Sequence, residues 1–599
     1  MKRILALFLS ITLATCAFAQ SNDTPPDKRA RKHAKKAEPA STVSNQLREM
    51  KESIAAQQQE IDQLRQQLAQ RDQALQQTQQ QLTGAQSTAQ QAQSSAQQAQ
   101  STAAQASAAA QGLQTTVADL KTSNDTVVQK LDGTEKRVGD LEAPLVIHFK
   151  GISITPGGFL AADSVWRQHA TGSDVNTPFN SISYPGAGNY AQSEFFGSGR
   201  ASRVSLLIEG KTGFAKLGGY YETDWLSSGV TSNNNQSNSY TNRMRQLFAQ
   251  AALNDGWTFT GGQMWSLVTE TTKGTDNRTE ALPMTIDAQY TAGFSWARQY
   301  AFRVSKNIGN TLWLAASVEN PQTTFAAHGQ AANFDFGSAG TSAGLYNAFN
   351  GTYSFNKSPD FIAKAAIEPG FGHYEVFALV SPFRDRVYPN ATASTPNAIG
   401  AYNDTRVGGG IGANARVSLV DKHLVVGLHA LGGNGVGRYG TSSLPDTTVR
   451  PNGTLALLRS YQGLGTVEWH TPKVDLYANA GGEYVSRFYE LNSSGKPVGY
   501  GAPGFVDYGC DTETVPTANT GFAPGAAANC TADTRNIIEG TFGFWFKPYS
   551  GNRGRIQIGP QYSYVVRNAW SGAGATPGTT VQPHTIENML LTSFRYYIP

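Results

Sequence analysis

From residue 145 onward the apolar side chains recur at every second position. Between residues 555 and 564 the even positions carry Ile556, Ile558, Tyr562 and Tyr564. Val474, Leu476, Ala478, Ala480 and Tyr484 share one face of the next such stretch, with Asp475, Asn479, Glu483 and Arg487 on the other. Leu424, Val426, Leu428 and Ala430 repeat the pattern, as do Leu312, Leu314, Ala316 and Val318, and Val204, Leu206 and Ile208. Successive side chains of a strand point to opposite faces, so this period predicts strands with one apolar and one polar face.

The connectors alternate too. Short turns such as Asn254-Asp255-Gly256, Asn307-Ile308-Gly309-Asn310 and Asp421-Lys422 are followed by long segments rich in Gly, Asn, Ser, Thr and Pro, for example 170–194 and 492–533. The pattern gives about 16 strands, seven short turns and eight long loops, the layout of an all-β transmembrane barrel. An even strand number lets an antiparallel ring close without an open edge. A secreted sandwich, propeller or β-helix is the competing soluble reading, and it expects a more continuous apolar core. Only 15% of the residues are charged, against about a quarter in ordinary globular domains. A mean hydropathy of −0.36 excludes a bundle of membrane-spanning helices, but not a barrel whose strands are half polar. The net charge of +4 is too small to argue for a nucleic-acid partner, and none is expected.

The chain begins with Met1-Lys2-Arg3, an apolar stretch over residues 4–15 and an Ala17-Phe18-Ala19 cleavage site. Residues 1–19 therefore read as a secretory signal peptide. A lipoprotein box at Cys16 is the weaker alternative. Export implies an oxidising compartment, so Cys510 and Cys530, close together in one Gly- and Pro-rich segment, are expected to form a disulfide, with two free thiols as the alternative. Residues 20–44 hold Lys28, Arg29, Arg31, Lys32, Lys35 and Lys36. They read as a solvated basic arm, with peptidoglycan contact as the sharper alternative.

Residues 45–143 carry a seven-residue repeat. Leu47, Ile54, Ile61, Leu68, Leu75 and Leu82 continue through Ala89, Ala96, Ala103 and Ala110 to Val117, Asn124, Leu131 and Val138. The positions three further on are mostly apolar as well, including Met50, Leu64, Leu113, Leu120, Val127 and Leu141. This predicts a left-handed coiled coil, hence an oligomer. Pro144 should end the helix. The expected plan is a signal peptide, a basic arm, a periplasmic coil and a barrel over residues 144–599 in the bacterial outer membrane.

No catalytic arrangement stands out, and no enzyme activity or cofactor is expected. His148, His169, His373, His423, His429, His470 and His584 are scattered without metal-ligand spacing. The polar strand face is more informative. Alternation points Arg203, Arg303, Arg406, Arg416, Arg487, Arg555, Arg567 and Arg595 inward, with Glu209, Glu222, Asp224, Glu319, Glu468, Glu483 and Glu539. From these, Arg203, Glu222, Asp224, Arg303, Glu319, Arg406, Arg416, Glu483, Arg487, Arg555, Arg567 and Arg595 are the candidate pore-lining residues. Opposed charges across a lumen filter small solutes by size and sign. Around Arg243, Arg245 and Gln263 the alternation breaks and the facing is ambiguous.

Several stretches resemble the DcaP-like trimeric outer-membrane porins. They are Ser202-Arg203, Gly219-Tyr220-Tyr221-Glu222-Thr223-Asp224-Trp225, Arg243-Met244-Arg245-Gln246, Gly262-Gln263-Met264-Trp265-Ser266, Ala297-Arg298-Gln299 and Glu319-Asn320-Pro321. The resemblance implies a homotrimer in outer-membrane lipid, one pore per subunit, and passage of small solutes with a preference for anions such as dicarboxylates. It also implies an inward loop narrowing the pore, here the third long loop at 269–285. The sucrose porins share an N-terminal coil, which keeps a sugar-selective pore open. A structural tether, in which coil and arm link the outer membrane to the cell wall, is the reading from another class.

Overall fold

The computed structural model describes residues 116–131, 134, 146–227, 241–329, 333–337, 354–392, 394–513 and 527–599. The chain divides into two compact units, Met1–Arg137 and Val138–Pro599. The signal peptide, the basic arm and most of the expected coiled coil lie outside the described residues.

In the first unit residues 116–131 are helical. The Thr122 and Thr126 hydroxyls donate to the carbonyls of Ala118 and Thr122, a back-bond that accommodates threonine inside a helix. Leu120 and Val127 of the seam are half-buried, while Val117 and Leu131 are exposed.

The second unit is a closed barrel. Its strands are β1 (Ile152–Arg167), β2 (Arg203–Lys211), β3 (Ala215–Ser227), β4 (Thr241–Leu253), β5 (Trp257–Trp265), β6 (Arg298–Ile308), β7 (Leu312–Glu319) and β8 (Asp360–Ile367). They continue as β9 (Gly372–Val387), β10 (Tyr402–Leu419), β11 (Leu424–Asn434), β12 (Arg459–His470), β13 (Val474–Val485), β14 (Thr534–Gly551), β15 (Gly554–Ala569) and β16 (His584–Tyr597). Each pairs antiparallel with the next. The ring closes because β1 pairs with β2 through its first half and with β16 through its second, from Phe159↔Tyr597 to Arg167↔Met589. A sandwich, propeller or β-helix has no such closure.

The burial pattern is the reverse of a water-soluble barrel. Ile411 is 68% exposed, Val407 67% and Leu428 64%, whereas Glu222, Asp224, Arg245, Lys364 and Glu375 are buried inside. Only an apolar surrounding makes that arrangement favourable, because unpaired apolar surface in water costs about 25 cal/mol per Å2. Phe542, Phe546 and Phe594, and Trp257 with Phe259, lie on this outer surface. No helix among the described residues is long and apolar enough to cross a membrane.

Seven short turns join the strands at one end of the barrel and eight long connections at the other. Gly256, in the turn between β4 and β5, has φ +92°, and a Cβ there would sit 2.7 Å from the Asn307 carbonyl oxygen. Only glycine fits so tight a return. The long connections used below are L1 (168–193), L3 (266–297), L6 (435–458) and L7 (486–533). Two sequence expectations shift. The strand read to Arg487 ends at Val485, which places Arg487 in L7, stacked on Trp570 at 5.1 Å. The loop expected to turn inward at 269–285 occupies the whole of 266–297.

Candidate pore and constriction

L3 lies inside the barrel, held by charged and polar groups on the wall. At its root the Glu319 carboxylate accepts the Leu267 N–H at 2.8 Å, and Arg303 donates to the Trp265 carbonyl at 2.6 Å. The next segment folds back on itself through Thr271 and Glu280. Lys364 on β8 donates to the Thr269 carbonyl at 2.7 Å and pairs with Glu375 on β9 at 2.8 Å. Glu375 in turn accepts the Thr271 N–H and hydroxyl, at 3.0 and 2.6 Å, and the Asn414 amide at 2.7 Å. Behind this segment Glu270 meets Arg416 at 3.5 Å and His429 at 3.2 Å.

L3 then reaches the far wall. The Ile286 N–H donates to Gln561 at 2.7 Å, the Ala292 N–H to Glu539 at 2.6 Å and the Gly293 N–H to Glu483 at 3.0 Å. Gly293 has φ +84°, and a Cβ there would sit 2.0 Å from the Gly463 carbonyl oxygen. The loop can lie this close to the wall only because that residue is glycine.

Apolar packing fills much of the remaining interior. Val175, Phe179 and Ile182 of L1 meet Ile286 and Ala292 of L3, Leu444 and Leu458 of L6 and Tyr500 of L7. Leu267, Val268 and Ala297 of L3 pack on Ile362, Phe377, Leu379 and Leu431 of the wall. Cavities lie beside the inner edge of L3, two of which share lining residues. The larger, about 590 Å3, is lined by L3 from Leu282 to Gln289 and by Arg203, Arg245, Lys547, Arg555 and Arg595. The smaller, about 60 Å3, is lined by Asp287, Gln289, Tyr290, Trp296, Arg243 and Arg438 among others. Leu226, Asp287 and Gln289 belong to both linings and so mark the section between the cavities.

The wall opposite L3 carries a ladder of guanidiniums. Arg245 pairs with Glu222 and with Asp224, both at 2.7 Å. Arg243 pairs with Asp224 at 2.8 Å, and Arg203 meets Glu222 at 3.7 Å. Gln289 reaches across from L3 and accepts from Arg245 at 3.1 Å and from Arg298 at 3.0 Å. Arg298 stacks against Trp265 and Trp296, and Arg595 pairs with Asp163 at 3.2 Å. Asp287 sits in this field on the L3 side. Burial pushes its carboxyl up from the ordinary aspartate range, while the Gln289 N–H and then Arg245, Arg243 and Arg595 pull it back.

The broken alternation at Arg243 and Arg245 has a local cause. Glu222 pairs with Gln246 but Thr223 with Met244, so Arg245 is the extra residue of a β-bulge. A bulge turns two consecutive side chains to the same side, and both Arg245 and Gln246 are buried inside.

Of the twelve candidate pore-lining residues, Arg203, Arg555 and Arg595 line the larger cavity. Glu222 and Asp224 hold the ladder arginines. The others anchor loops or pair with neighbouring groups outside the twelve. Arg303, Glu319 and Arg416 contact L3, and Glu483 ties L3 to L6. Arg567 donates to the Ile182 carbonyl of L1 at 2.6 Å, and Arg406 pairs with Asp404 at 2.7 Å. Arg243, Arg245, Arg298, Asp287 and Gln289 are the residues that strand alternation alone did not select.

Cys510 and Cys530 are disulfide-bonded, and the Cys510 carbonyl accepts the Gly186 N–H at 2.6 Å, so the bridge docks L7 on L1. Closing a segment of this length removes about 3 kcal/mol of chain entropy from the opened loop. Replacing both cysteines by serine should therefore expose L7 to protease while the barrel resists. Measured cleavage rates on the intact channel check this.

No known protein-family pattern matches the chain, and no curated protein does. Among solved structures, the outer-membrane channel DcaP of Acinetobacter baumannii aligns over 76% of this chain and 99% of its own, at 14% identity and a TM-score of 0.50. OprB of Pseudomonas putida aligns over 78% and 97% at 12% identity, with a TM-score of 0.40. An anion-selective porin from Comamonas acidovorans aligns over 75% and 100% at 8% identity, with a TM-score of 0.38. The first overlay is close enough to identify the architecture: the chain carries the fold of a DcaP-like outer-membrane porin.

Proposed function

We propose that the protein is a passive outer-membrane channel for small polar solutes and that it prefers anions. The observation that carries this reading is the ladder of Arg203, Arg243 and Arg245 facing the edge of L3, with Arg298 and Arg595 beside it. A fixed row of guanidiniums in a narrow aqueous section concentrates anions and offers carboxylates paired donors. The long connections then face outward and the short turns the periplasm, as in other outer-membrane barrels. Planar-bilayer recording under a salt gradient tests the reading. The reversal potential should lie on the anion side. A cation-side potential would remove the anion preference, and absence of conductance would remove the channel. Sugar flux without ion preference would point to a sugar pore.

The heptad repeat supports an oligomer assembled through a periplasmic coil, since a seam of this kind is stable only against partner helices, and the resemblance to trimeric porins makes that oligomer a homotrimer. Deleting residues 28–141 is expected to convert trimers into monomers on native gels. Barrel closure should survive, because every strand of the ring lies beyond residue 151. A loosened envelope with trimers intact would instead favour the tether, with the basic arm on peptidoglycan.

A further inference from the structure

We propose that the outer surface of β6 to β9 holds a phosphorylated lipid, one acyl chain lying in a hollow between the strands and the phosphate on the basic side chains above it. The proposal shares with the channel reading only the outward direction of the long connections, and it concerns the opposite face of the wall.

The hollow has a volume of about 440 Å3, and strand register makes it. Ala316, Ala363 and Ala378 pair across β7, β8 and β9 in one row and face outward. Phe302, Val318, Phe361 and Val380 form the next row on the side of the long connections. Val304 on β6 and Ile411 on β10 close the alanine row at its two ends. Leu314 and Val376 stand on the side of the short turns. The alanine methyl groups are thus the floor of a depression rimmed by larger side chains. Floor and rim forfeit contact on their open side unless something fills it. A hydrocarbon chain does so without bringing a polar group that the hollow would leave unpaired.

The same strands carry charge above the hollow. On β9 the outward positions beyond Val380 are Pro382, Arg384 and Arg386, and Lys357 is exposed just before β8 begins. Arg384 donates to the Asn356 carbonyl at 3.5 Å and Arg386 to the Asn403 side chain at 3.1 Å, both neutral acceptors. Asp335 stands beside Arg386 in register, but its carboxylate accepts the Gly337 N–H at 2.9 Å. Among the described residues no carboxylate pairs with Lys357, Arg384 or Arg386. Cations at the end of a membrane-facing surface meet lipid headgroups. A phosphate gives guanidiniums the oxygen acceptors that they bind through paired N–H donors. A neutral headgroup leaves those cations unanswered. Hollow and charge together therefore select a lipid that carries phosphate.

The test titrates the full chain, in a neutral detergent, with diphosphoryl lipid A and reads the bound lipid by native mass spectrometry. Each subunit should retain one lipid. Lys357→Gln combined with Arg384→Gln should weaken retention roughly 25-fold, about fivefold for each unit charge a few ångströms away in water. Removing both phosphates from the lipid should weaken it to a similar degree. Ala363→Phe, which fills the floor and keeps the charges, should also weaken it, and Ala363→Leu gives the same comparison if the larger ring prevents folding. Equal retention by the charge variant, or by the filled hollow, overturns the proposal. If Ala363→Phe instead breaks oligomers on native gels, the hollow is a contact between copies of the chain and the lipid reading falls. Reversal potentials on the same preparations separate the two proposals. A channel that retains the lipid but shows no anion preference overturns the channel reading alone.

Discussion

Replacing Arg243 and Arg245 together by glutamine is expected to move the reversal potential from the anion side to the cation side. On that wall Arg203, Arg243 and Arg245 share Glu222 and Asp224. With both substitutions, Arg203 keeps the one remaining ion pair to the two carboxylates while Arg298 acts on them from farther off, and the sign of that stretch of wall inverts. A unit charge about 4 Å from an ion contributes about 1 kcal/mol even in water, roughly fivefold in relative partition. Two charges therefore shift the permeability ratio by roughly 25-fold at low ionic strength. The shift should shrink as salt rises, because the screening length falls to about 3 Å at 1 M. Arg245 is only 2% exposed, so its removal also strands buried acids. The quadruple variant that adds Glu222→Gln and Asp224→Asn answers this, because it removes the acids as well. With Arg298, Arg555 and Arg595 still in place it should return the potential to the anion side. A double variant that keeps the wild-type sign would show that selectivity is set elsewhere.

The barrel was legible in the sequence because two local rules are enough to specify it. Period two assigns the faces, and turn chemistry assigns the short end, as at Asn254-Asp255-Gly256. Leu424 to Asn434 and Leu312 to Glu319 fall where those rules put them. The disulfide was legible for a similar reason, a single pair in one segment of an exported chain. The constriction was harder to read. Alternation gives the side of the wall on which a charge lies, but not whether a loop lies over it. Arg303, Glu319 and Glu483 do point inward, yet each is covered by L3, whose path is set by acceptors 275 and 247 residues away, Gln561 and Glu539. Arg245 was ambiguous because a bulge cancels the rule where it stands, and a bulge depends on the pairing partner as well as on the strand. Asp287 carries no strand pattern at all. Its place follows from Ile286 being caught between Gln561 and Arg595.

Lys364→Met is expected to destabilise the barrel interior by about 3 kcal/mol and to loosen L3 in the same step. Lys364 and Glu375 are both without solvent exposure at their side chains, and removing one partner of a buried pair leaves an uncompensated charge that costs about 3–5 kcal/mol. The lower end applies because Glu375 keeps the donors of Thr271 and Asn414 and its contact with His373 at 2.9 Å. The same substitution removes the bond from Lys364 to the Thr269 carbonyl, so the thermal cost and the loop's release are coupled. The midpoint of thermal unfolding in detergent should fall, and single-channel records should show more frequent sub-states of higher conductance. Adding Glu375→Gln should recover most of the midpoint, because the stranded charge is gone. It should not restore the quiet record, because the Thr269 anchor is still missing. That separation tells whether the buried pair serves the barrel or the loop. If the double variant recovers both, the pair only braces the wall, and the other contacts of L3, among them those to Glu319, Arg303, Arg416, Gln561, Glu539 and Glu483, suffice to hold it. If it recovers the midpoint only, Lys364 is what keeps the pore at one width.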